Sequence, residues 1–138
     1  LVKGYCPVHE EMRVQEIQEL KQQHPLAEVL AHPECNAAVL SIADYIGSTT
    51  GILKQAAASN AKEFIIATEV GVRYELEKQN PEKTFYFPKT EPVCTDMKKI
   101  TLDGILHVLR TGENGAAVAE DIAEPSKATL NRMLELAA

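Results

Sequence analysis

The sequence predicts an α/β fold: a three-layer αβα domain with a short parallel sheet, followed by C-terminal helices. Up to about residue 90, short apolar segments alternate with segments of helical pattern, as in a parallel sheet with helical crossovers. The apolar run within 63–68 is almost unbroken, which is typical of a strand covered on both faces. From Thr101 onward the helical segments follow one another without a strand. We therefore expect residues 1–100 to form the α/β domain and residues 101–138 a helical segment.

In the first half of the chain, capping and breaking residues set the element boundaries. The pattern predicts a helix over 10–23, a strand over 27–31 and a helix over 36–46. His24 should end the first helix, because a residue before proline is pushed out of the helical region. Asn36 is a good N-cap and Gly47 a good C-terminal stop for the second helix.

The second half continues the alternation and then becomes helical. The predicted elements are a helix that is capped by Thr49 or Thr50 and runs to about Asn60, a strand over 63–68, a helix over 69–79, a strand over 84–87, and helices over 102–109 and 119–137. Pro81 should end the helix before it, and Pro88 should close the strand 84–87. Residues 1–2 read as the end of a further strand that leads into Cys6.

Composition and charge limit the classes of function. The 138 residues are 45% hydrophobic and 25% charged, enough to bury a core. With a net charge of −6, the chain lacks the basic character of a nucleic-acid binder. No apolar run is long enough for a membrane span, and no signal-peptide pattern opens the sequence. We therefore expect a cytoplasmic protein with no nucleic-acid or membrane partner.

The chain begins with Leu1 inside what reads as a strand end, so we expect a truncation, a proteolytic product or an engineered segment. Its three cysteines, Cys6, Cys35 and Cys94, are widely spaced. An odd number in a chain that reads as cytosolic argues against a disulfide framework. Metal binding, catalysis and simple burial remain open for each thiol.

Cys6 and His9 follow the first predicted strand closely enough to reach one centre. Thiolates suit iron–sulfur clusters and zinc, so metal ligation is the sharper interpretation. A buried cysteine beside a helix-capping histidine is the alternative.

His32 and Glu34 follow the strand 27–31 directly, and Pro33 stiffens the turn between them. An imidazole and a carboxylate this close could act as an acid–base pair. The alternative is that Glu34 only complements the dipole of a helix N-terminus.

The segment 47–51 combines glycines and hydroxyl side chains at the start of a helix. Free backbone N–H groups and the helix dipole favour an anion there, and the hydroxyls of Ser48 and Thr49 add donors. The segment therefore suits a phosphate group, although plain helix capping is the simpler interpretation of these residues alone.

Cys94 lies in the loop after the last predicted strand and should open a helix near Lys98, a setting that favours the thiolate. A packed loop cysteine is the alternative. Thr68 and Glu69, at the end of the strand 63–68, are either a further polar pair or an N-cap with a first-turn acid. The sequence has no CxxC pair and no glycine-rich dinucleotide or P-loop motif.

Five motifs, in order, resemble the quinolinate synthase family. They are Gly4-Tyr5-Cys6 with His9, His32-Pro33-Glu34-Cys35, Gly47-Ser48-Thr49, the strand from Phe64 to Glu69, and Cys94 with the segment from Met97 to Leu102. The resemblance covers about residues 1–110, and the last helix fits it loosely. Each motif is weak by itself, but five in register are specific.

The resemblance implies three related α/β domains around a central site, with this chain as the third domain plus the C-terminal helices. It implies a transferase of NAD biosynthesis that condenses iminoaspartate with dihydroxyacetone phosphate to quinolinate, with L-aspartate oxidase as functional partner. A 4Fe–4S cluster, held by one cysteine from each domain, would keep one iron open as a Lewis acid. Without the missing N-terminal domains, the chain alone should be inactive.

By position in these motifs, the resemblance assigns Cys6 and Cys94 to the cluster, His32 and Glu34 to substrate binding and proton transfer, and Ser48 and Thr49 to the substrate phosphate. The third cysteine ligand would lie outside this chain. Cys35 is not expected to be a ligand, and His9 is a weaker candidate. We also predict that Cys6 and Cys94 lie on the same side of the sheet.

Two other functions fit the residues. One is a stand-alone phosphometabolite-binding α/β module that uses residues 47–49 and no cluster. The other is a small structural domain that holds zinc through Cys6, His9 and Cys94. Bound phosphate without metal, or stoichiometric zinc, would distinguish these from an iron- and sulfide-containing enzyme fragment.

Overall fold

A computed structural model of the chain describes residues 4–113 and 115–137. The chain divides into two compact units, Leu1–Met97 and Lys98–Ala138, which are described separately. The strand end predicted at residues 1–2 lies outside the described residues.

The first unit alternates helices and strands. In chain order the elements are α1 (Pro7–Glu10), α2 (Val14–Gln23), β1 (Glu28–Ala31), α3 (Ala37–Leu40), β2 (Tyr45–Ile46), α4 (Thr49–Ala58), β3 (Glu63–Ala67), α5 (Arg73–Gln79) and β4 (Thr84–Tyr86). Short 3₁₀ turns cover Val70–Val72 and Met97–Lys99. The four strands form one parallel sheet in the order β2-β1-β3-β4, which confirms the predicted fold class.

The residues of β3 show how the sheet is covered on both faces. Ile65 and Ala67 pack in one core cluster, which includes residues of α2 and α3. Phe64 and Ile66 pack in a second cluster, with residues of α4 and α5. Because successive side chains of a strand point to opposite faces, the unbroken apolar run of β3 fills both clusters. The predicted three-layer arrangement is therefore confirmed.

The helix predicted over 36–46 is wrong beyond its first turn. Asn36 does cap α3, since its Oδ1 accepts the N–H of Val39 at 3.2 Å. However, α3 is only four residues long, and β2 follows. The side chain of Asp44 accepts the N–H of Val29 at 2.8 Å, and the Asp44 N–H donates to the Val29 carbonyl at 2.9 Å. These bonds to β1 favour a strand over the helix that the apolar spacing predicts.

The helix predicted over 10–23 is confirmed only from Val14, as α2, because Arg13 is extended, with φ −90° and ψ 116°. Glu10 is the last residue of the separate short helix α1. The strands predicted at 27–31, 63–68 and 84–87 are confirmed to within one residue at each end. Asn80 ends α5, directly before Pro81, as predicted.

The second unit contains α6 (Leu102–Thr111) and α7 (Glu120–Ala137), which confirms two predicted helices. The Thr101 hydroxyl accepts the N–H of Gly104 at 3.1 Å and caps α6. Gly112 ends α6 with φ 69°, a left-handed conformation that glycine adopts without a steric penalty. Among the described residues, no helix has the length and apolar character needed to cross a bilayer.

Candidate functional site at the carboxyl edge of the sheet

The carboxyl ends of the strands bring the polar residues of the sequence motifs to one edge of the sheet. Ala31 of β1 and Ala67 of β3 are register partners, and the Ala67 carbonyl accepts the N–H of His32 at 3.0 Å. The Ala31 carbonyl accepts the N–H of Gly47, which follows β2, at 3.0 Å. Thr68 follows β3 at the same edge. Ligands of open α/β sheets bind beyond this edge, so it is the candidate site.

His9 ties α1 to the ends of β1 and β3. Its ring is buried, with Nε2 3.0 Å from Oγ1 of Thr68 and Nδ1 3.2 Å from Oε2 of Glu34. Because an ionised carboxylate only accepts, Nδ1 carries the proton donated to Glu34. In the neutral ring, Nε2 then accepts the hydroxyl proton of Thr68. The three side chains form one hydrogen-bonded chain from the core to the edge of the sheet.

His32 stacks on His9, with ring centroids 4.2 Å apart and planes 10° from parallel. Its Nδ1 accepts the backbone N–H of Glu34 at 3.3 Å, which places the ring proton on Nε2. Burial lowers the pKa of His32, and the neighbouring His9 lowers it further, against the opposing effect of Glu34. The neutral ring with an Nε2–H donor is therefore the favoured form of His32.

Glu34 lies beside the Nδ1 atoms of the two stacked imidazoles and faces solvent with half of its side chain. Its Oε2 lies 3.2 Å from Nδ1 of His9 and 3.7 Å from Nδ1 of His32, and its side chain is 52% exposed. It precedes Asn36, which caps α3 through its own side chain. Glu34 therefore lies outside the first turn of α3, which weakens the alternative that it only complements the dipole of that helix.

The thiols of Cys6 and Cys35 differ in their surroundings. Cys6 is half-buried and caps α1, and its sulfur lies with ligand atoms of His9 and Glu34 within 4.8 Å of one another. Cys35 is buried, and its thiol donates to the Ala67 carbonyl at 3.4 Å. Burial raises the pKa of Cys35 to about 11. Cys35 therefore stays a neutral thiol, which is a poor metal ligand.

Cys94 is held by the residues after β3. Its backbone N–H donates to Oε1 of Glu69 at 3.3 Å, and the N–H of Val70 donates to the Pro92 carbonyl at 2.9 Å. The prediction that Cys94 opens a helix is wrong, since the next helical residues form the short 3₁₀ turn that begins at Met97. The loop geometry around this half-buried thiol is set by Glu69.

The dipeptide Thr68–Glu69 connects the two segments that carry half-buried thiols. The Thr68 hydroxyl contacts His9, in the helix that Cys6 caps, whereas the Glu69 carboxylate holds the Cys94 amide. Glu69 also accepts the N–H of Gly71 and is the N-cap of the 3₁₀ turn, whereas the alternative interpretation gave the cap to Thr68 and made Glu69 a first-turn acid. The sequence named this pair as a candidate, but only the structure assigns each side chain its partner.

The segment after β2 begins α4. Ser48, not Thr49 or Thr50, is its N-cap, and the Ser48 Oγ accepts the N–H of Gly51 at 3.2 Å. Because the Ser48 Oγ accepts in this bond, its hydroxyl proton can still be donated to another group. The prediction that Gly47 stops a helix is wrong, because Gly47 follows the strand β2.

Gly47 and Gly51 make room for an aromatic ring. A Cβ at Gly47 would lie 2.5 Å from the hydroxyl oxygen of Tyr45, and one at Gly51 would lie 2.7 Å from it. Tyr45 therefore packs directly against the segment that carries Ser48 and Thr49. Sequence reasoning missed Tyr45, because its only signal was a position inside a predicted helix.

The chain is thus an open α/β domain with imidazole, carboxylate and thiol groups at the edge where ligands of such sheets bind. The model of the family "Quinolinate synthetase A protein" matches residues 1–135, and the chain belongs to this family.

Known relatives support this assignment. The chain is 47% identical over 134 residues to the quinolinate synthase of Clostridioides difficile, covering 97% of this chain and 44% of that protein. It is 42% identical over 139 residues to that of Aquifex aeolicus, covering 97% and 43%. It is 44% identical over 133 residues to quinolinate synthase 2 of Methanosarcina acetivorans, covering 96% and 43%. The chain thus spans less than half the length of these relatives.

Proposed function

We propose that this chain supplies part of the active site of a quinolinate synthase, a cytoplasmic transferase of NAD biosynthesis. The reaction would condense iminoaspartate, the product of the partner L-aspartate oxidase, with dihydroxyacetone phosphate. The relatives are about twice as long as the chain, so further domains would complete the site. The observation that carries the proposal is the Glu34 carboxylate beside the Nδ1 edges of two stacked imidazoles, at the carboxyl edge of the sheet.

The thiols present fit a 4Fe–4S cluster that also uses a cysteine outside this chain. Cys6 and Cys94 are half-buried and free, whereas burial and the raised pKa of Cys35 exclude that thiol. Cys6 and Cys94 would hold the cluster, which supplies a Lewis-acidic iron when bound. Glu69 supports this role by fixing the backbone at Cys94.

Glu34 would transfer the proton, and His32 would donate a hydrogen bond to the substrate. The exposed half of the Glu34 carboxylate can accept a proton from a bound substrate, as imine–enamine interconversion requires. His32 carries its ring proton on Nε2 and is neutral, so it can donate to a substrate oxygen. His9 orients Glu34 through its Nδ1–H group.

The phosphate of dihydroxyacetone phosphate would bind at the start of α4. Ser48 and Thr49 offer hydroxyls there, at a helix N-terminus whose dipole favours an anion. An anion-stabilising helix N-terminus also suits a reaction in which phosphate leaves.

A chimera tests the proposal directly. The matching C-terminal segment of the Clostridioides difficile quinolinate synthase is replaced by this chain, and quinolinate formation is measured under anaerobic conditions. We expect an active, brown protein that contains iron and sulfide. In this chimera Glu34→Gln should lower turnover about 10²–10⁴-fold, the contribution of a general acid or base. The visible absorbance and the melting temperature should stay nearly unchanged.

A matched control is Glu77→Gln, which makes the same chemical change at an exposed position of α5 and should keep full turnover. A folded chimera that binds iron and sulfide but forms no quinolinate would contradict the proposed activity. Bound phosphate without metal would instead favour the stand-alone phosphometabolite-binding module.

A further inference from the structure

The loop that carries Cys94 lies over a cavity. Residues 88–96, the Cys94 loop, lie between β4 and the 3₁₀ turn that begins at Met97. A cavity of about 590 Å³ separates this loop from the segment that runs from α1 to the first turn of α2. Because side chains do not fill this space, individual hydrogen bonds decide where the loop lies.

Glu16 of α2 holds one end of the Cys94 loop at Thr90. Its Oε2 accepts the backbone N–H of Thr90 at 2.9 Å, and its Oε1 accepts the Thr90 hydroxyl proton at 2.7 Å. Hydrogen bonds to an ionised acceptor are about twice as strong as those between neutral groups. These bonds lower the pKa of Glu16, so the carboxylate is ionised at neutral pH. The side chain is only 13% exposed, and the adjacent Ile17 is fully buried, which gives Glu16 a fixed base.

The side-chain ion pairs at this end of the loop are weaker. Lys89 contacts Glu19 at 2.9 Å, but both side chains are exposed. Arg73 lies 3.7 Å from Glu91, and these side chains are exposed as well. Exposed ion pairs contribute little to stability, because water and salt screen them. Glu16 is therefore the residue that fixes this end of the loop.

The residues after β3 hold the other end, through their bonds to the Cys94 N–H and the Pro92 carbonyl. Between the two ends, the ring of Pro92 fixes its φ angle, and the N–H of Val93 donates to the Glu91 carbonyl at 2.9 Å. The segment from Thr90 to Cys94 is therefore stiff. A stiff segment that is fastened at one end can pivot, whereas two fastenings on different elements fix its direction.

We propose that Glu16 is a positioning residue, which sets the place of Cys94 in the cluster site through its hold on Thr90. The inference rests on the proposed function, in which Cys94 is a cluster ligand. Glu16 contacts neither the cluster nor the substrate and acts only through the loop. Residues that orient a metal ligand typically change metal affinity about 10–100-fold when they are lost. Glu16 should therefore matter to the cluster although it lies in a different helix from either cysteine.

Amide hydrogen exchange in the 138-residue chain tests the hold on the loop. Glu16→Leu keeps a side chain of similar size but removes both acceptors. The Cys94 amide should then exchange about tenfold faster, the effect of losing one charge-assisted hydrogen bond from the closed loop, while the amides of β3 keep their wild-type rates. Glu19→Leu is the matched control. It makes the same change about one turn along α2, removes only the exposed pair with Lys89, and should leave exchange at Cys94 unchanged.

The chimera shows the effect on the cluster without a measurement of activity. After anaerobic reconstitution, a chelator removes the iron, and the visible absorbance follows its loss. Iron should leave Glu16→Leu about 10–100-fold faster than the wild-type chimera, and Glu19→Leu should keep the wild-type rate. Thr90→Val removes only the hydroxyl bond and should also speed the loss. Thr90→Ser keeps the hydroxyl and should restore the wild-type rate.

Circular dichroism checks the folding of each variant. If Glu16→Leu does not fold, Thr90→Val carries the test, because Thr90 is exposed. Wild-type exchange at Cys94, equally faster exchange throughout β3, or wild-type loss of iron in the folded variant overturns the role of Glu16. A wild-type chimera that holds no iron and sulfide instead contradicts the proposed function, and exchange at Cys94 then decides whether Glu16 sets the loop.

Discussion

The imidazoles of His9 and His32 lie face to face, with centroids 4.2 Å apart and planes 10° from parallel. Two protonated rings at this distance would repel each other, and burial already disfavours the charged form of His32. The carboxylate of Glu34 reaches Nδ1 of both rings but opposes these effects only in part. The stack thus selects a neutral His32 beside a hydrogen-bonded His9.

The first prediction concerns the pH dependence of stability. Because the pKa of His32 is lowered in the folded chain from 6.5, the unfolded chain binds more protons at His32 as the pH falls below 6.5. The contribution of His32 to stability is therefore complete above pH 6.5 and is lost as the pH falls towards its folded pKa. In urea unfolding at pH values from 8 down to 5, the free energy of unfolding should fall less for His32→Asn than for the wild type. The prediction would be contradicted if the unfolding free energies of the two proteins fell equally with pH, or if NMR showed that the His32 ring titrates above pH 6.5.

The second prediction concerns thiol reactivity. With a pKa of about 11, Cys35 should be alkylated about a hundredfold more slowly at pH 8 than an ordinary thiol of pKa 9.0. Mass spectrometry after brief iodoacetamide treatment of the metal-free native chain should find Cys6 and Cys94 labelled before Cys35. In denaturant all three should react at similar rates. Early labelling of Cys35 in the native chain would show that its thiol is not buried as described.

The third prediction concerns Glu69, which accepts the N–H groups of Gly71 and Cys94. Glu69→Ala should lower the free energy of unfolding by about 0.5–2 kcal/mol, the range for loss of a capping side chain. Amide hydrogen exchange at Cys94 should become faster. Glu77→Ala, at an exposed position of α5, is the control and should leave exchange at Cys94 unchanged. If Cys94 exchanges at the wild-type rate in Glu69→Ala, Glu69 does not hold this loop.

The fourth prediction concerns the phosphate group and uses the chimera. Charge-assisted hydrogen bonds contribute about 1.5–3 kcal/mol each, so Ser48→Ala with Thr49→Ala should raise the KM for dihydroxyacetone phosphate at least tenfold. The KM for iminoaspartate should change less. Ser41→Ala removes an exposed hydroxyl that bonds only its own helix turn at Ala38, and it serves as the control. An unchanged KM in the folded double variant would remove Ser48 and Thr49 from the site.

Whether a segment's secondary structure could be predicted depended on whether its apolar pattern is set locally or by contacts with distant residues. The strand 63–68 was predictable because all of its apolar side chains are buried, whichever face they point to. The segment 36–46 was not, because the spacing of its apolar residues suits a helix. Asp44 meets the backbone of Val29 only when β1 is in place, and that contact turns the segment into β2.

By itself, the sequence determined the α/β alternation, the family resemblance and the positions of the polar motifs after the strands. Strand ends and turn residues are local signals, so Cys6, His32 and Glu34 could be named from them. Only the tertiary structure decided which of these groups meet. His9 reaches Glu34 across 25 positions and Thr68 across 59, and no local pattern encodes such distances. Parallel pairing of β1 with β3 brings them together, because it places both carboxyl ends at one edge.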